Sequence, residues 1–534
     1  MDEPIPLTPE DGQATPPAVQ SAVEALQAEN EALQAENEAL QAENEALRAE
    51  VAPLRTENEA LQAENETLRT ENEALRTENE ALQAEVATLQ AEVATLQAEN
   101  ATLREQVGQN STNSSRPPST DPPGTPKPQR APSGRRPGGQ PGHEGVSRTL
   151  KPVEEVKEVI PVKPEKCQHC GHPLEGEDPN PQRHQVTEIP PLVSETTEYQ
   201  LHTLECPKCG TCTCAELPEG VPAGAFGPRV QAMVAAMSGQ YHLSKRQIEE
   251  LLADFFGVEL GLGSVKALEE ATSEVLKEPV EKAQEAVKEQ PVANVDETGW
   301  REGKQKAWLW VAVTGSVTVF LIRLSRGAKV AKELLGEAFG GIVGSDRWSG
   351  YNWVDNERRQ VCWAHLLREF AAWVARGGES ARIGQALLDQ AEPMFHWWHR
   401  VRDGTMSRTE FQEKMQEVQQ RVGELLREGA ACDHAKTAGT CRKILEVEES
   451  LWTFVRVEGV EPTNNAAERA VRPGVLWRKG SFGTQSAAGS RFVERLMTVV
   501  ATLKQQRRNV LEYLTAACEA ALRGEKVPSL LPTP

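Results

Sequence analysis

Three acidic side chains are singled out by the text around them. Asp296 follows the apolar run PVANV and precedes Thr298, Gly299 and Trp300. Asp346 follows IVGS and precedes Arg347, Trp348 and Ser349. Glu468 stands in PTNNAAERAV beside Arg469 and Arg472. In a chain with 79 acidic residues a lone carboxylate says nothing. Two aspartates on strand ends and a glutamate on a helix, however, form the all-oxygen donor set that Mg2+ or Mn2+ prefers. Two such ions about 3.5–4 Å apart can activate water and stabilise a leaving oxygen in phosphodiester cleavage. Residues 463–510 hold nine basic and two acidic side chains, among them Arg469, Arg472, Arg478 and Lys479. That cluster suits a duplex DNA backbone.

The cysteines suggest a second kind of metal. Cys167-x2-Cys170 and Cys206-x2-Cys209 are two knuckles whose four thiolates can surround Zn2+ tetrahedrally. Four sulfurs leave no open position, so the role would be structural. Cys212 and Cys214 leave the fourth ligand open among Cys209, Cys212 and Cys214. The text between the knuckles, HQVTEIPPLVSETTEYQLHTLEC, reads as a hairpin whose two ends carry them, a zinc-ribbon-like module.

The elements that must position the carboxylates follow from periodicity. PVANVDETGW reads as a strand ending at Asp296. KQKAWLWVAVTGS and VTVFLIRLS read as two more strands, GAKVAKELLGEAF as a helix, and GIVGSDRWSGY as a fourth strand ending at Asp346. Three strands, a helix and another strand open a ribonuclease-H-like α/β core. A helical stretch interrupts it before Glu468, and its Trp397 and Trp398 read as core. Upstream, RVQAMVAAMSGQ and LSKRQIEELLADFFGVELGLGSVKALEEATSEVL read as short helices, with Ser244 and Ser264 as caps and Gly257 in a turn. This is a helix-turn-helix-like arrangement, with Lys245, Arg246 and Lys266 as the cations to meet DNA.

The formal charge of -21 looks wrong for a DNA-binding chain, but it is unevenly placed. Residues 1–107 hold 24 acidic and 5 basic side chains, a net of -19, which leaves the rest near -2. Leucine recurs every seven residues from Leu26 to Leu103. With leucine at d, position a is mostly Asn (Asn30, Asn37, Asn44), broken by Val51, Val86 and Val93; g is Glu from Glu29 to Glu99, and e is Gln or Arg. Leu at d with Asn at a favours a parallel two-stranded coil, hence a homodimer. Pro53 should kink or split it. So acidic a segment could also compete with DNA for basic surface. No apolar run approaches the roughly 18–20 residues of a membrane span, and MDEPIPLTPE lacks a signal-peptide core. The expected place is the cytoplasm, on the nucleoid, with no membrane partner.

The chain is thus expected to be multidomain α+β. Residues 1–20 are read as disordered, 21–107 as the coiled coil, 108–160 as a mildly basic Pro/Gly-rich linker and 161–217 as the zinc module. Residues 222–290 form the helix-turn-helix-like segment, 291–375 the first part of the core, 376–455 a helical insertion, 456–525 the second part of the core, and 526–534 a tail.

Several motifs in this order carry a resemblance: NSSRPPS and GGQPGH in the linker, the paired knuckles, NVDETGW, SDRWSGY, VCWAHLLREF and EPTNNAAERAVRP. Together with the heptad N-terminus they resemble transposases of the insertion-sequence-66 family over nearly the whole chain. The resemblance implies a split ribonuclease-H-like core, Asp296, Asp346 and Glu468 as the metal-binding triad, and Cys167, Cys170, Cys206 and Cys209 as zinc ligands. It also implies small accessory proteins of the same element as partners. Within CWAH no chemistry is assigned to Cys362 or His365, and a core histidine with satisfied bonds is expected. The function expected is DNA cleavage and strand transfer at element ends. The alternative is a DNA-binding regulator with a dead nuclease core.

Overall fold

The computed structural model of the protein describes residues 16–111, 113 and 148–532. The expected disorder of residues 1–15, most of the linker and the end of the tail (533–534) lie outside them. Two compact units are present, Met1–Gly108 and Gln109–Pro534.

The first unit is one helix, α1 (Pro17–Gly108), which begins inside the stretch expected to be disordered and runs through Pro53. Its leucine stripe is exposed from Leu26 to Leu103, since a single helix cannot fold its own stripe inward.

The second unit begins with irregular chain and a short hairpin, β1 (Thr203–Glu205) and β2 (Cys212–Cys214), paired antiparallel. The expected hairpin joining the two knuckles is not formed. Residues 174–202 contain no strand, and the hairpin brackets the second knuckle alone. Four helices follow: α2 (Pro228–Gly239), α3 (Lys245–Phe256), α4 (Leu262–Val275) and α5 (Lys277–Lys288). Ser244 caps α3 in a reciprocal box with Gln247. Ser264 is not a cap: α4 starts earlier, at Leu262, and Gly261 takes the cap position. Val234, Met237, Ile248, Leu252, Leu260 and Val265 form the small core of α2, α3 and α4.

A five-stranded mixed sheet is next. Its strands are β3 (Val292–Glu302), β4 (Gln305–Val313), β5 (Thr318–Arg323), β6 (Ile342–Ser345) and β7 (Arg359–Val361), in the order β5-β4-β3-β6-β7. The β3/β4 and β4/β5 pairs are antiparallel, while β6 lies parallel to both β3 and β7. Parallel neighbours need a crossover, and α6 (Ala328–Leu335) lies in the one between β5 and β6. β3 does not end at Asp296; it continues six residues beyond, because Thr298 to Glu302 pair with Gln305 to Leu309.

After β7 come α7 (Trp363–Arg376), α8 (Gly378–Arg402), α9 (Arg408–Ala430), α10 (Ala435–Leu445) and α11 (Thr453–Arg456). They share a separate core. α7 belongs to this cluster although it falls in the stretch assigned to the sheet domain, since Leu366, Phe370 and Trp373 place its apolar face there. Trp398 is core, packed against Phe411 and Phe454.

The chain then returns to the sheet with α12 (Asn465–Ser481), α13 (Ala487–Gln505) and α14 (Val510–Leu522). α12 packs on β3 and β4, where a side chain at Gly474 would overlap Leu309. α13 closes the sheet edge. Glu494, Thr498 and Thr502 stand one turn apart and accept the free N–H groups of Ile322, Phe320 and Thr318. An edge strand so covered offers no template for a second chain.

Candidate active site

Strand pairing brings Asp296 and Asp346 into one neighbourhood. Asn294 of β3 lies opposite Gly344 of β6. Asp296 stands two residues further along β3, and Asp346 two residues after Gly344, just past the end of β6, where its charge acts on the Asp296 carboxyl. Gly344 matters here, since a Cβ would strike the Asn294 amide oxygen. Asp346 is held by the Trp348 N–H, which donates to its Oδ1 at 2.8 Å. Buried Arg359 grips the same turn: its guanidinium donates to the Asp346 carbonyl at 2.8 Å and to Ser345 Oγ at 3.2 Å. Burial lowers that guanidinium to about 10.

Glu468 arrives from the first turn of α12. Buried Asn464, immediately before the helix, anchors that turn: its Nδ2 donates to the Val295 carbonyl at 2.6 Å, one residue before Asp296. Its own N–H donates to Cys362 Sγ at 3.1 Å. His365 Nδ1 and Arg368 Nη2 lie 3.6 and 3.5 Å from Glu468 Oε1.

The three carboxylates act on one another electrostatically. Burial first, then the charges of Glu297, Asp346 and Glu468, raise the Asp296 carboxyl well above its ordinary value. Like charges are thus gathered in a partly buried place, with Arg359 at the Asp346 turn and Arg368 beside Glu468. The donor set is all oxygen, which fits a hard divalent ion.

Behind Asp296, on the opposite face of β3, lies a brace the motif reading missed. Glu297 is buried and accepts Tyr351 Oη–H at 2.6 Å and Arg326 Nε–H at 2.8 Å. Arg326 is stacked between Trp308 and Trp348, 4.8 and 4.1 Å from their ring centres. The presence of Glu297 directly after Asp296, and of Tyr351 in RWSGY, was the available signal. Only register shows that Glu297 turns inward while Asp296 turns out.

The basic residues divide. Arg246, Arg469, Arg472 and Lys479 are exposed. Lys266 is exposed but pairs with Glu270 at 3.2 Å. Lys245 pairs with buried Glu269, and Arg478 donates to the Gly299 carbonyl and, at 3.4 Å, to Thr298 Oγ1. Those two side chains are engaged in holding α3 to α4 and α12 to β3.

The two cysteine knuckles have the same turn. The Gly171 N–H donates to the Cys167 carbonyl and the Cys167 N–H to the His172 carbonyl; Gly210, Cys206 and Thr211 repeat this. Gly171 and Gly210 have φ of 75° and 68°, a conformation that favours glycine. The glycine after the second cysteine of each pair was a legible signal. Cys212 and Cys214 lie instead in β2. Hydrogen bonds from Cys170 and His169 lower the Cys167 thiol, and those from Thr211 and Cys206 lower the Cys209 thiol. The four thiols do not gather into one group. Among the described residues, the group of three metal-ligating side chains within 4.8 Å of one another is Cys362, His365 and Glu468.

A family model described as the Transposase IS66 family matches residues 223–491. The chain belongs to that family. The matched stretch runs from just before α2 into α13 and contains Asp296, Asp346 and Glu468. A second model, for a family of unknown function, matches residues 14–149. An uncharacterized protein of Sinorhizobium fredii, y4qI, is 29% identical over 258 residues, covering 42% of this chain and 46% of its own length. This transposase-family chain thus matches about half the length of that relative. Among its described residues no helix is long and apolar enough to cross a membrane.

Proposed function

We propose that this transposase-family protein binds the ends of a DNA element, cleaves a strand to free a 3′ hydroxyl, and joins that hydroxyl to target DNA. The observation that carries the reading is the convergence of Asp296, Asp346 and Glu468 from β3, the end of β6 and α12. The strand order β5-β4-β3-β6-β7, antiparallel on one side and parallel on the other, supports a ribonuclease-H-like core. The helices α7 to α11 would then be its insertion.

The three carboxylates would hold two Mg2+ or Mn2+ ions, which when bound would activate a water or 3′ hydroxyl and stabilise the leaving oxygen. The protein's own contribution is placement. Pairing of β3 with β6 brings together the strands that lead to the two aspartates, Arg359 and Trp348 hold the Asp346 turn, and Asn464 ties the start of α12 to the strand bearing Asp296. Arg246, Arg469, Arg472 and Lys479 are the exposed cations offered to DNA phosphates; Lys266 is a weaker candidate. α1 serves as a coiled-coil dimerisation element, because a partner helix would cover its leucine stripe. In the cysteine module each knuckle is half a zinc site, with Cys206–Cys209 favoured over Cys212 and Cys214 by its turn. Zinc would draw the two halves together.

The test is strand cleavage and joining on DNA carrying the element ends, in Mg2+ or Mn2+, with accessory proteins supplied. Asp296→Asn, Asp346→Asn and Glu468→Gln should bind DNA as the native chain does and join none. Native activity in any of these variants removes that residue from the site. An inert native chain that still binds duplex DNA points to a regulator.

A further inference from the structure

Four buried side-chain atoms among the described residues lack a hydrogen-bond partner: Trp353 Nε1, His365 Nδ1, Arg368 Nε and Asn464 Oδ1. Buried polar atoms are rarely left so, and each one calls for an explanation. Three of these four belong to residues grouped around Glu468. His365 and Arg368 face its carboxylate, and the Asn464 carbonyl accepts its backbone N–H at 3.2 Å. The orphans are therefore concentrated at one place in the fold.

That place has a distinct donor chemistry. Cys362 precedes α7 and His365 lies three residues on, so both side chains reach the same side of the first turn. Glu468 enters from the first turn of α12. A sulfur, a ring nitrogen and a carboxylate oxygen thus come within 4.8 Å of one another. Mg2+ has no use for the sulfur. Zn2+ takes just such mixed sets of Cys, His and carboxylate. Cys362 Sγ already accepts the Asn464 N–H, the outer-shell support that a metal-bound sulfur receives. The His365 and Glu468 side chains are 19% and 32% exposed, so the group lies at the edge of the core and not deep inside it.

We infer that Cys362, His365 and Glu468 form a binding site for a borderline-soft divalent cation of the zinc class, beside the hard-ion site and sharing Glu468 with it. A zinc ion held by Cys362 and His365 would also engage the Glu468 carboxylate and so withdraw it from Asp296 and Asp346. The consequence is inhibition by zinc, and this part rests on the proposed role of Glu468 in strand transfer. The site itself does not.

Two measurements on the full-length chain separate these points. The first is zinc content per chain after equilibration with buffered micromolar Zn2+, for the native protein, Cys362→Ser and His365→Gln. The cysteine knuckles are intact in all three and contribute equally. The native chain should carry about one zinc more than either variant, since loss of a ligand should weaken the site by at least the roughly 10–100-fold seen for outer-shell partners. Far-UV circular dichroism shows which variants are folded, and partly exposed His365→Gln carries the test if buried Cys362→Ser is not. Equal zinc content in native and folded variant overturns the site. The second measurement is strand joining in Mg2+ with zinc added. The half-inhibiting zinc concentration should rise by about tenfold or more in Cys362→Ser. Equal inhibition of both chains overturns the sharing of Glu468. A difference in zinc content with no joining by the native chain supports the zinc site and sinks the strand-transfer reading.

Discussion

Asp296→Asn should stabilise the metal-free protein while abolishing its activity. Adjacent strands are about 4.8 Å apart, and a separation of about 5 Å is taken as the scale on which the Asp296 and Asp346 carboxylates interact. Two unit charges at that separation, in the effective dielectric of about 20 that suits such sites, repel by about 3 kcal/mol. Burial and the charges of Glu297 and Glu468 add to this. A carboxyl raised in the folded state makes its full contribution to stability below its unfolded value and loses it as pH rises through the folded one. At neutral pH the native Asp296 therefore opposes folding, and the amide does not. Some of the gain is spent on the amide's own hydrogen bonds, leaving an expected stabilisation of about 1–2 kcal/mol, within the repulsion just estimated. Mg2+ should reverse the order. At about 100 times its dissociation constant an ion stabilises its folded binder by about 2.7 kcal/mol, a gain the variant forgoes. The assay is urea unfolding of both chains, in chelator and in Mg2+. A variant less stable than native in chelator, or one stabilised equally by Mg2+, refutes the argument that these carboxylates form a cation site.

Asn464→Ala leaves the Val295 carbonyl without its amide donor and loosens the turn that carries Glu468; urea unfolding should show a loss of about 1–3 kcal/mol, and strand joining should fall further than that loss explains. Gly474→Ala drives a methyl into Leu309 and pushes α12 off the sheet, costing about 1–3 kcal/mol by the same measurement. Burial lifts the Glu494 carboxyl to about 7 against the pull of Arg491 and Arg323. Its contribution is full below the ordinary value and lost as pH rises through about 7, so Glu494→Gln should shrink the stability difference between about pH 5 and about pH 8 by up to roughly 3 kcal/mol. Deleting residues 21–107 should turn a dimer into a monomer by light scattering. Removal of their acidic charge should also raise nonspecific DNA affinity at low salt; unchanged affinity would show that the coil does not compete with DNA.

Much of this protein is written locally. The heptad stripe of α1, the strands β3, β4 and β5, the capping of α3 and the paired cysteine turns depend on periods and spacings within a few residues. They can be read along the chain for that reason. The proposed triad of Asp296, Asp346 and Glu468 also stands in distinctive neighbouring text. The tertiary structure decided what those residues do to one another. Pairing of β3 with β6 brings the strand bearing Asp296 next to the one that leads into Asp346, although 50 positions separate the two aspartates in sequence, and the tie from Asn464 to Val295 brings Glu468 back after the helical cluster. It also decided which cations are free. Lys245 and Arg478 read as surface charges, yet each is engaged by a partner far along the chain. His365 read as a satisfied core residue, and its Nδ1 turned out to be an orphan facing Glu468. Charge pairing and buried hydrogen bonds depend on distances in space, and no window of sequence contains those distances.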